Sequence, residues 1–543
     1  MPRRHGSPFK ASQESLNMSA GSKSSALTAD QFYQDISHRN HVVSKTSLIH
    51  QAGHFETCSG REIIKDAIHG HIKLPALCVR IIDTPQFQRL RFLKQLGTTS
   101  FVYPAASHNR FEHCLGTCYL AGKMVNALRS RQEELEITKA DVLCVQIAGL
   151  CHDLGHGAFS HVFETFMKES GKKESGKRFK HEEMSCKMFD HLLSENNIMQ
   201  DFRRAGLDEK DVRFIKDLIV GAKPSVEENG RTAAKAFLFE IVNNKRTGAD
   251  VDKWDYFLRD CHAMFLWRQK TRSQGKVREK VSRVTVVLCP QVTFEYERLV
   301  HFSRAAEVEG EWQIVFKESE AENLYEMNHA RMMLHKKAYQ HRVVKIIDRM
   351  LVDALLEADK YEDRNGQSFK LSEVCNDLAA YTYLTDDVMY QILRMPSGSP
   401  HLEKAKLILQ NILTRNLYSY VGEFTEADVI DVEKTKQTLM NTFPGAECLE
   451  KRVKFGSENG NPLAKQHFYR RGNRGGFITL RPEQVSRMLP REFEDVKFYV
   501  ITKDYRAEQD TSTKIKKEQI AEFLEKEKME KEEKMEKEEK MEK

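Results

Sequence analysis

No stretch of about 20 apolar residues occurs anywhere in the chain, which excludes a membrane-spanning helix. The first residues, Met1 to Ser7, lack the apolar segment of a secretory signal. Cysteines number eleven but show no close-pair framework, Cys114 and Cys118 being the nearest two. They read as reduced core residues of an intracellular protein, nuclear or cytoplasmic. Strong charge of one sign is missing too. The 85 Lys and Arg against 79 Asp and Glu leave a net +6, too little to argue for a polyanion-binding protein. What the chain does have is 40% hydrophobic and 30% charged residues over 543 positions, enough for a large core under a charged surface. That length fits about three domains or one large helical one.

The most informative stretch is Val142-Leu-Cys-Val-Gln-Ile-Ala-Gly-Leu-Cys-His-Asp-Leu-Gly-His-Gly-Ala-Phe-Ser-His161. An uncharged apolar run leads into His152-Asp153. Gly155 and Gly157 then break the pattern around His156, and His161 follows. With 21 histidines in the chain, about one His-Asp dipeptide is expected by chance, so the setting carries the information. A buried helix end would hold a nitrogen and an oxygen donor rigidly beside flexible backbone, as a catalytic metal requires.

Residues 1–50, rich in Ser, Lys, Asn and Gln, read as a disordered leader. Asp66 to Pro75 has strand or turn character around Gly70. Pro75 to Leu96 reads as helical, with a helix start at Thr84-Pro85. Phe101 to Pro104 reads as a short extended piece. Ser107 to His113 enters a helix on which Arg110 and His113, three apart, share a face. An amphipathic helix is expected from His181, with buried helical segments at Ile215 to Val220 and Phe237 to Val242. Gly248 to Asp260 places Asp252, Tyr256, Arg259 and Asp260 on one helical face. Its Trp and Phe neighbours imply burial, and buried carboxylates need a partner or a metal. Residues 299–356 read as helical, and Val453 to Val500 as a few strands. Lys514 to Lys543, with its Lys-Met-Glu-Lys-Glu-Glu repeat, reads as a solvated helix or disorder outside any core. The fold class expected is mainly α. A helical domain over 61–360 would precede a smaller α+β C-terminal lobe over 361–505 and a charged low-complexity tail over 506–543.

If His113, His152, Asp153 and Asp252 meet at one point, two imidazoles and two carboxylates make a mixed nitrogen and oxygen site suited to Fe, Mn, Zn or Mg. An ion there would lower the pKa of bound water and polarise a phosphorus centre. His156, His161 and His181 are then free for proton transfer. Arg110, Lys253 and Arg331 would neutralise a polyphosphate, and Tyr256 and Tyr339 would meet a sugar or base. These parts describe metal-dependent phosphoester or phosphoanhydride hydrolysis.

Four motifs together resemble the HD-domain deoxynucleoside triphosphate triphosphohydrolases, and closely the vertebrate branch that carries a SAM domain ahead of the HD region. They are Ile81-Ile-Asp-Thr-Pro-Gln-Phe-Gln-Arg-Leu-Arg91, Ser107-His-Asn-Arg-Phe-Glu-His113, Cys151-His-Asp-Leu-Gly-His-Gly-Ala-Phe-Ser-His161 and Asp250-Val-Asp-Lys-Trp-Asp-Tyr256. The match extends in order from about Asp66 to Leu489. The resemblance implies a helical HD-domain bundle that cleaves a dNTP to deoxynucleoside and inorganic triphosphate. It implies His113, His152, Asp153 and Asp252 as ligands of a divalent transition metal (Fe, Zn or Mn), with Mg accompanying the nucleotide. His161 would be the general acid for the 5′-oxygen, supported by His156 and His181. Arg110, Lys253 and Arg331 would contact the triphosphate, and Gln95, Tyr256 and Asp260 would surround the 3′-hydroxyl. Leu96 and Tyr339 would crowd the 2′ position. Asp83, Gln88 and Arg91 would read GTP at an allosteric site, and Arg298, Lys317, Asn323, Arg415 and Arg471 would contact activator nucleotides. Occupancy of those sites would assemble a homotetramer, and the activity would control dNTP pools and restrict viral DNA synthesis.

The pattern is departed from in several places. A short leader stands where the SAM domain would be. Glu62, Lys65, Ser319 and Ser419 replace activator contacts, and Glu164 stands where a shorter Asp would support the general acid. Residues 263–293 carry an inserted basic run, Trp267 to Lys280, readable as translated intron or alternative exon, or as a basic nucleic-acid-binding loop. The alternatives are an HD phosphohydrolase on another nucleotide and a non-catalytic paralogue binding single-stranded nucleic acid.

Overall fold

The uncharged run of the sequence lies at the centre of a helical core. The computed structural model describes residues 62–542 with breaks at 172–177, 222–228, 266–293, 362–369, 397, 457–459, 473–476, 487–489 and 506–510. The leader over 1–50 and the basic run from Trp267 to Lys280 thus lie outside the described residues. A β-hairpin comes first: β1 (Glu62–Asp66) pairs antiparallel with β2 (Gly70–Leu74), Asp66 opposite Gly70. Two helices then pack together, α1 (Arg110–Arg131) and α2 (Lys139–Cys151).

Local chemistry starts both helices. The Asn109 N–H donates to Glu112 Oε1 at 2.9 Å. Thr138 Oγ1 accepts from the Asp141 N–H at 3.1 Å, and the Thr138 N–H donates back to Asp141 Oδ2 at 2.9 Å. Cys144, Val145, Ile147, Ala148, Leu150 and Cys151 on α2 are all buried. Each aliphatic side chain so buried contributes about 1.5–3 kcal/mol. That burial fixes the last turn of α2, and His152 sits immediately beyond it.

Around this pair stand α3 (His161–Glu169), α4 (His181–Glu195), α5 (Val251–Phe265), α6 (Ala321–Leu334) and α7 (Arg342–Ala358). Two small sheets complete the unit. One joins β3 (Ser303–Val308), β4 (Glu311–Lys317), β7 (Phe468–Tyr469) and β8 (Phe477–Ile478) in that order. The other places β9 (Glu494–Tyr505) between β5 (Tyr418–Thr425) and β6 (Ala446–Lys454). The fold is therefore mainly helical with small C-terminal sheets. No described helix is long and apolar enough to cross a membrane.

Four readings are corrected. Residues 303–317 form the β3–β4 hairpin and not a helix, because Glu309 and Gly310 both take positive φ, 54° and 82°, as a two-residue hairpin turn demands. Pro75 to Leu96 has the expected start at Thr84-Pro85, but its helical structure ends at Phe92, where Leu93 turns extended. It breaks into Ala76–Ile82, Pro85–Gln88 and the 3-10 turn Arg89–Phe92, since Thr84 is extended and its hydroxyl caps a new start through the Phe87 N–H. Phe101 to Pro104 turns instead of extending: the Val102 and Tyr103 N–H groups both donate to Thr99 O, at 2.9 and 2.8 Å. The tail is not free of the core. It forms α8 (Thr511–Glu542), whose Ile520 and Leu524 are buried against Phe424, Val429, Leu439 and Val500. Ile520, Phe523 and Leu524 make an apolar stripe at helical spacing before the charged repeat begins. Beyond it, exposed Lys–Glu pairs such as Lys540–Glu536 at 3.4 Å run along the helix as the repeat implies.

Candidate metal centre and substrate cavity

α1, the end of α2 and the start of α5 bring one predicted group together. His113 Nε2 lies 3.0 Å from Asp252 Oδ1 and 3.2 Å from His152 Nε2. His152 Nε2 is 3.3 Å from Asp252 Oδ1 and 3.5 Å from Asp153 Oδ1. The tautomers follow from the outer partners. His113 Nδ1 faces Asp255 Oδ2 at 2.8 Å, and His152 Nδ1 faces Gly149 O at 2.9 Å. Both oxygens can only accept, so both Nδ1 atoms carry the proton. The two Nε2 atoms and the two carboxylates then converge, so positive charge at their centre, whether a proton on Nε2 or a cation, is what relieves the arrangement. Ligand atoms of His113, His152 and Asp153 lie within 4.8 Å of one another, a donor set that fits a divalent metal ion, and Asp252 Oδ1 reaches both imidazoles.

The carboxylates draw positive charge to this point. Burial opposes a charge on His113, but its bonds to Asp252 and Asp255 outweigh burial and push its pKa up to about 10. Burial likewise opposes ionisation of Asp252 and Asp153. His113 and His152 hold Asp252 below the usual carboxylate range, and Arg110 and His152 do so for Asp153. Buried Arg110 is anchored by Asp153, by Ser160 Oγ at 2.8 Å and by Gln95 O at 3.3 Å.

A cavity of about 890 Å³ opens beside this centre. Gln95, Leu96, Arg110, His156, His161, His181, Lys253, Tyr256, Asp260, Arg331 and Tyr339 all line it, together with Asp153 and Asp252. His156 and His181 stack with centroids 4.1 Å apart, and His161 stands edge-on to both. Glu164 accepts from His181 Nδ1 at 2.5 Å and lies 3.6 Å from His161 Nδ1. Burial and the charges of Arg110 and His181 drive His156 well below the ordinary imidazole value, leaving it neutral. Burial acts the same way on His181, but Glu164 overrides it and raises that pKa.

The turn before His161 is strained. Phe159 and Ser160 both sit at positive φ, 57° and 59°, at a cost of about 1–3 kcal/mol each. Asp386 holds the Phe159 N–H at 2.6 Å, and Ser160 Oγ donates to Lys94 O at 2.7 Å. His161 thereby projects into the opening with its side chain 71% exposed. A second close approach lies at Gly155, where a Cβ would come within 2.2 Å of His181 O and Ser185 N. The His152–Gly157 loop can rest on the first turn of α4 only because this residue has no side chain.

The expected face on α5 divides. Asp252, Tyr256 and Asp260 meet the cavity, whereas Arg259 turns away to Asp255 and Asp66, because Asp255 four residues earlier offers it two oxygens at 2.8 and 2.9 Å. Asp260 Oδ2 accepts from Tyr339 Oη, and its Oδ1 pairs with His108 Nε2 at 2.6 Å. The residues expected at activator sites lie elsewhere and apart. Exposed Asp83 is near Gln88, whose Oε1 accepts from Arg91 Nε at 2.7 Å. Arg298 and Asn323 share buried Glu320, and Lys317 lies over the Phe302 ring. Arg415 donates to Phe101 O, and Arg471 is exposed.

Several residues of the site went unassigned in the sequence. Asp255 and His108 stood inside quoted motifs, and their proximity to named residues was the available signal. His335, driven down to about 3 by burial and Arg331, and Asp348, raised by burial, line the same cavity. They come from distant helices, and no local pattern marks them.

The helical fold and the His/Asp cluster are those of an HD-domain protein, and the HD domain family matches residues 110–214. The chain is 42% identical over 460 residues to the human deoxynucleoside triphosphate triphosphohydrolase SAMHD1, covering 80% of this chain and 69% of the human one. The mouse counterpart is 41% identical over 481 residues, covering 82% and 69%. A Dictyostelium discoideum SAMHD1 homolog is 36% identical over 444 residues, covering 80% and 76%. The chain belongs to the SAMHD1 family of HD-domain deoxynucleoside triphosphate triphosphohydrolases.

Proposed function

We propose that this protein hydrolyses deoxynucleoside triphosphates to deoxynucleoside and inorganic triphosphate in the 890 Å³ cavity. One observation carries the reading: the grouping of His113 and His152 with Asp153 and Asp252 opens into a cavity whose lining includes Arg110, Lys253 and Arg331 and the histidines His156, His161 and His181. A bound divalent ion supplies charge neutralisation and an acidified water there. Arg110, Lys253 and Arg331 receive the triphosphate. His161 gives its proton to the departing 5′-oxygen, with Glu164 orienting its Nδ1 side. His156, kept neutral, can accept a proton or a hydrogen bond at its unpartnered Nδ1. Asp260, aligned by Tyr339 and His108, takes the 3′-hydroxyl beside Gln95 and Tyr256, while Leu96 and Tyr339 narrow the 2′ side.

The reading extends to regulation by GTP and dNTP acting at Asp83, Gln88 and Arg91 and at the Arg298–Lys317–Asn323 group, with assembly of a homotetramer. Arg91 lying 3.4 Å over the Phe111 ring, with Gln88 hydrogen-bonded to it, supports a preformed planar contact for a base. Lower dNTP pools, and with them restricted viral DNA synthesis, follow from such chemistry.

Incubation with dGTP and Mg²⁺, with and without GTP, followed by chromatography, tests the function. Deoxyguanosine plus triphosphate is expected, and His152→Ala should yield none. No product under either condition, or deoxyguanosine monophosphate plus pyrophosphate, would overturn the reading. Light scattering with GTP should show a fourfold mass, and an unchanged mass refutes the regulatory part.

A further inference from the structure

Outside the ligand shell lies a buried network that joins the N-terminal hairpin to the metal centre. Asp255 accepts four hydrogen bonds. Its Oδ2 takes His113 Nδ1 and Arg259 Nε, both at 2.8 Å. Its Oδ1 takes Arg259 Nη2 at 2.9 Å and His69 Nε2 at 2.7 Å. His69 sits in the turn between β1 and β2, and its side chain is fully buried, as is that of Asp255. Asp66, at the end of β1, shapes the same turn. Its Oδ1 accepts from the Ile68 and His69 N–H groups, both at 2.8 Å, and its Oδ2 binds Arg259 Nη1 at 2.9 Å. α1 makes room for this junction at Gly116, where a Cβ would fall 1.8 Å from Asp255 Oδ1.

We propose that the β1–β2 hairpin is a working part of the metal centre: His69 and Asp66, through Arg259 and Asp255, lock His113 in the Nδ1–H form with Nε2 aimed at the ion. The proposal rests on the metal reading above. A carboxylate behind a ligating imidazole fixes its tautomer and ring plane and raises its basicity, and the partners behind that carboxylate decide where it stands. Asp255 cannot be positioned by Arg259 alone. Arg259 shares α5 with Asp255 and takes its outside anchor from Asp66 of the hairpin, whereas His69 reaches Asp255 directly from that hairpin. Among the described residues, His69 is also the hairpin's direct donor to Asp255, so a displaced hairpin withdraws one of the four bonds and tilts the carboxylate that holds His113. His69, Asp66 and Arg259 are thus positioning residues and touch no substrate.

Two substitutions separate hydrogen bonding from packing. His69 also contacts the rings of Tyr119 and Tyr296, with centroids 5.4 and 5.8 Å away. H69F keeps a ring against both tyrosines and removes the donor, whereas H69Q keeps a donor at similar reach and removes the ring. Metal affinity of the full chain is measured by competition with a chromophoric chelator, using Mn²⁺ or Zn²⁺ alone, alongside circular dichroism. H69F should stay folded and lose about ten- to a hundredfold in affinity, and H69Q should stay within a few-fold of the unmodified chain. Wild-type affinity in folded H69F overturns the proposal, as does equal loss in both variants, which would assign His69 to packing. If H69F does not fold, H69Q decides: affinity within a few-fold of wild type supports the hydrogen-bond role, and a tenfold loss refutes it. An unmodified chain that holds no metal, with or without chelator pressure, removes the site itself and the proposal with it.

Discussion

Gly155→Ala adds one methyl group where the His152–Gly157 loop rests on α4. The added Cβ would stand 2.2 Å from His181 O, 2.2 Å from Ser185 N and 2.6 Å from Met184 C, where ordinary contact begins near 3.4 Å. All three obstructions are backbone atoms in the first turn of α4, so no side chain can swing aside. The turn must retreat by about 1 Å, breaking the bond from the Gly155 N–H to Ser185 Oγ at 2.8 Å. Overpacking of this kind costs about 1–3 kcal/mol, and a rigid backbone places the value toward the upper end. His181 moves with the turn, away from its stack on His156 and its bond to Glu164. A 1 Å misplacement near reacting groups costs about 10²-fold in rate. The assay is steady-state dGTP hydrolysis with metal content measured on the same sample. The expected result is a kcat near one hundredth of wild type, a lower Tm and metal content close to wild type, because no ligand rides on the displaced turn. Folded Gly155→Ala with wild-type kcat would refute the close-approach argument.

Three further outcomes are expected. Glu164→Gln should alter stability in a defined pH window. The raised pKa of His181 gives a contribution complete below its ordinary 6.5 and lost as pH climbs through the raised value, and the depressed pKa of Glu164 gives one present above its ordinary 4.5 and lost in acid. The Tm gap to wild type should therefore be widest near pH 6 and shrink in both directions. Leu524→Ala should cost about 2–5 kcal/mol in thermal or urea unfolding, whereas truncation after Glu527 should cost less than about 1 kcal/mol, because among the described residues Ile520, Phe523 and Leu524 make the apolar contact and the truncation removes just the half-exposed Lys528–Asp428 pair. Tyr339→Ala, which removes the ring beside the sugar position and the hydroxyl on Asp260, should raise the ratio of ribonucleotide to deoxynucleotide turnover by about tenfold or more.

Much of the site was legible because its parts are local. The apolar run before His152, the three-residue spacing of Arg110 and His113, and the i, i+4 spacing of Asp252, Tyr256 and Asp260 are statements about single helices, and each of those helices forms. What stayed hidden depends on contacts between distant segments. Asp255 lies within Asp250 to Tyr256, yet only the approach of α1 and the hairpin turn shows that it serves His113 and that Arg259 faces it. The β3–β4 hairpin escaped notice because Glu309 takes a backbone conformation usually left to Asn or Gly, and the flanking apolar residues can also be threaded on a helix. The packed half of α8 was masked by the repeat that follows it: three apolar residues in a run of Lys and Glu look like exceptions until β5 and β9 supply a surface.

In the proposed reaction water attacks the α-phosphorus and the 5′-oxygen leaves with the nucleoside. Hydrolysis of dGTP in ¹⁸O-enriched water, with products read by mass spectrometry, tests it most directly. One ¹⁸O in the triphosphate, unlabelled deoxyguanosine, and no product from Asp252→Ala are expected. Label in the deoxyguanosine, or in pyrophosphate or orthophosphate released in place of triphosphate, would contradict it.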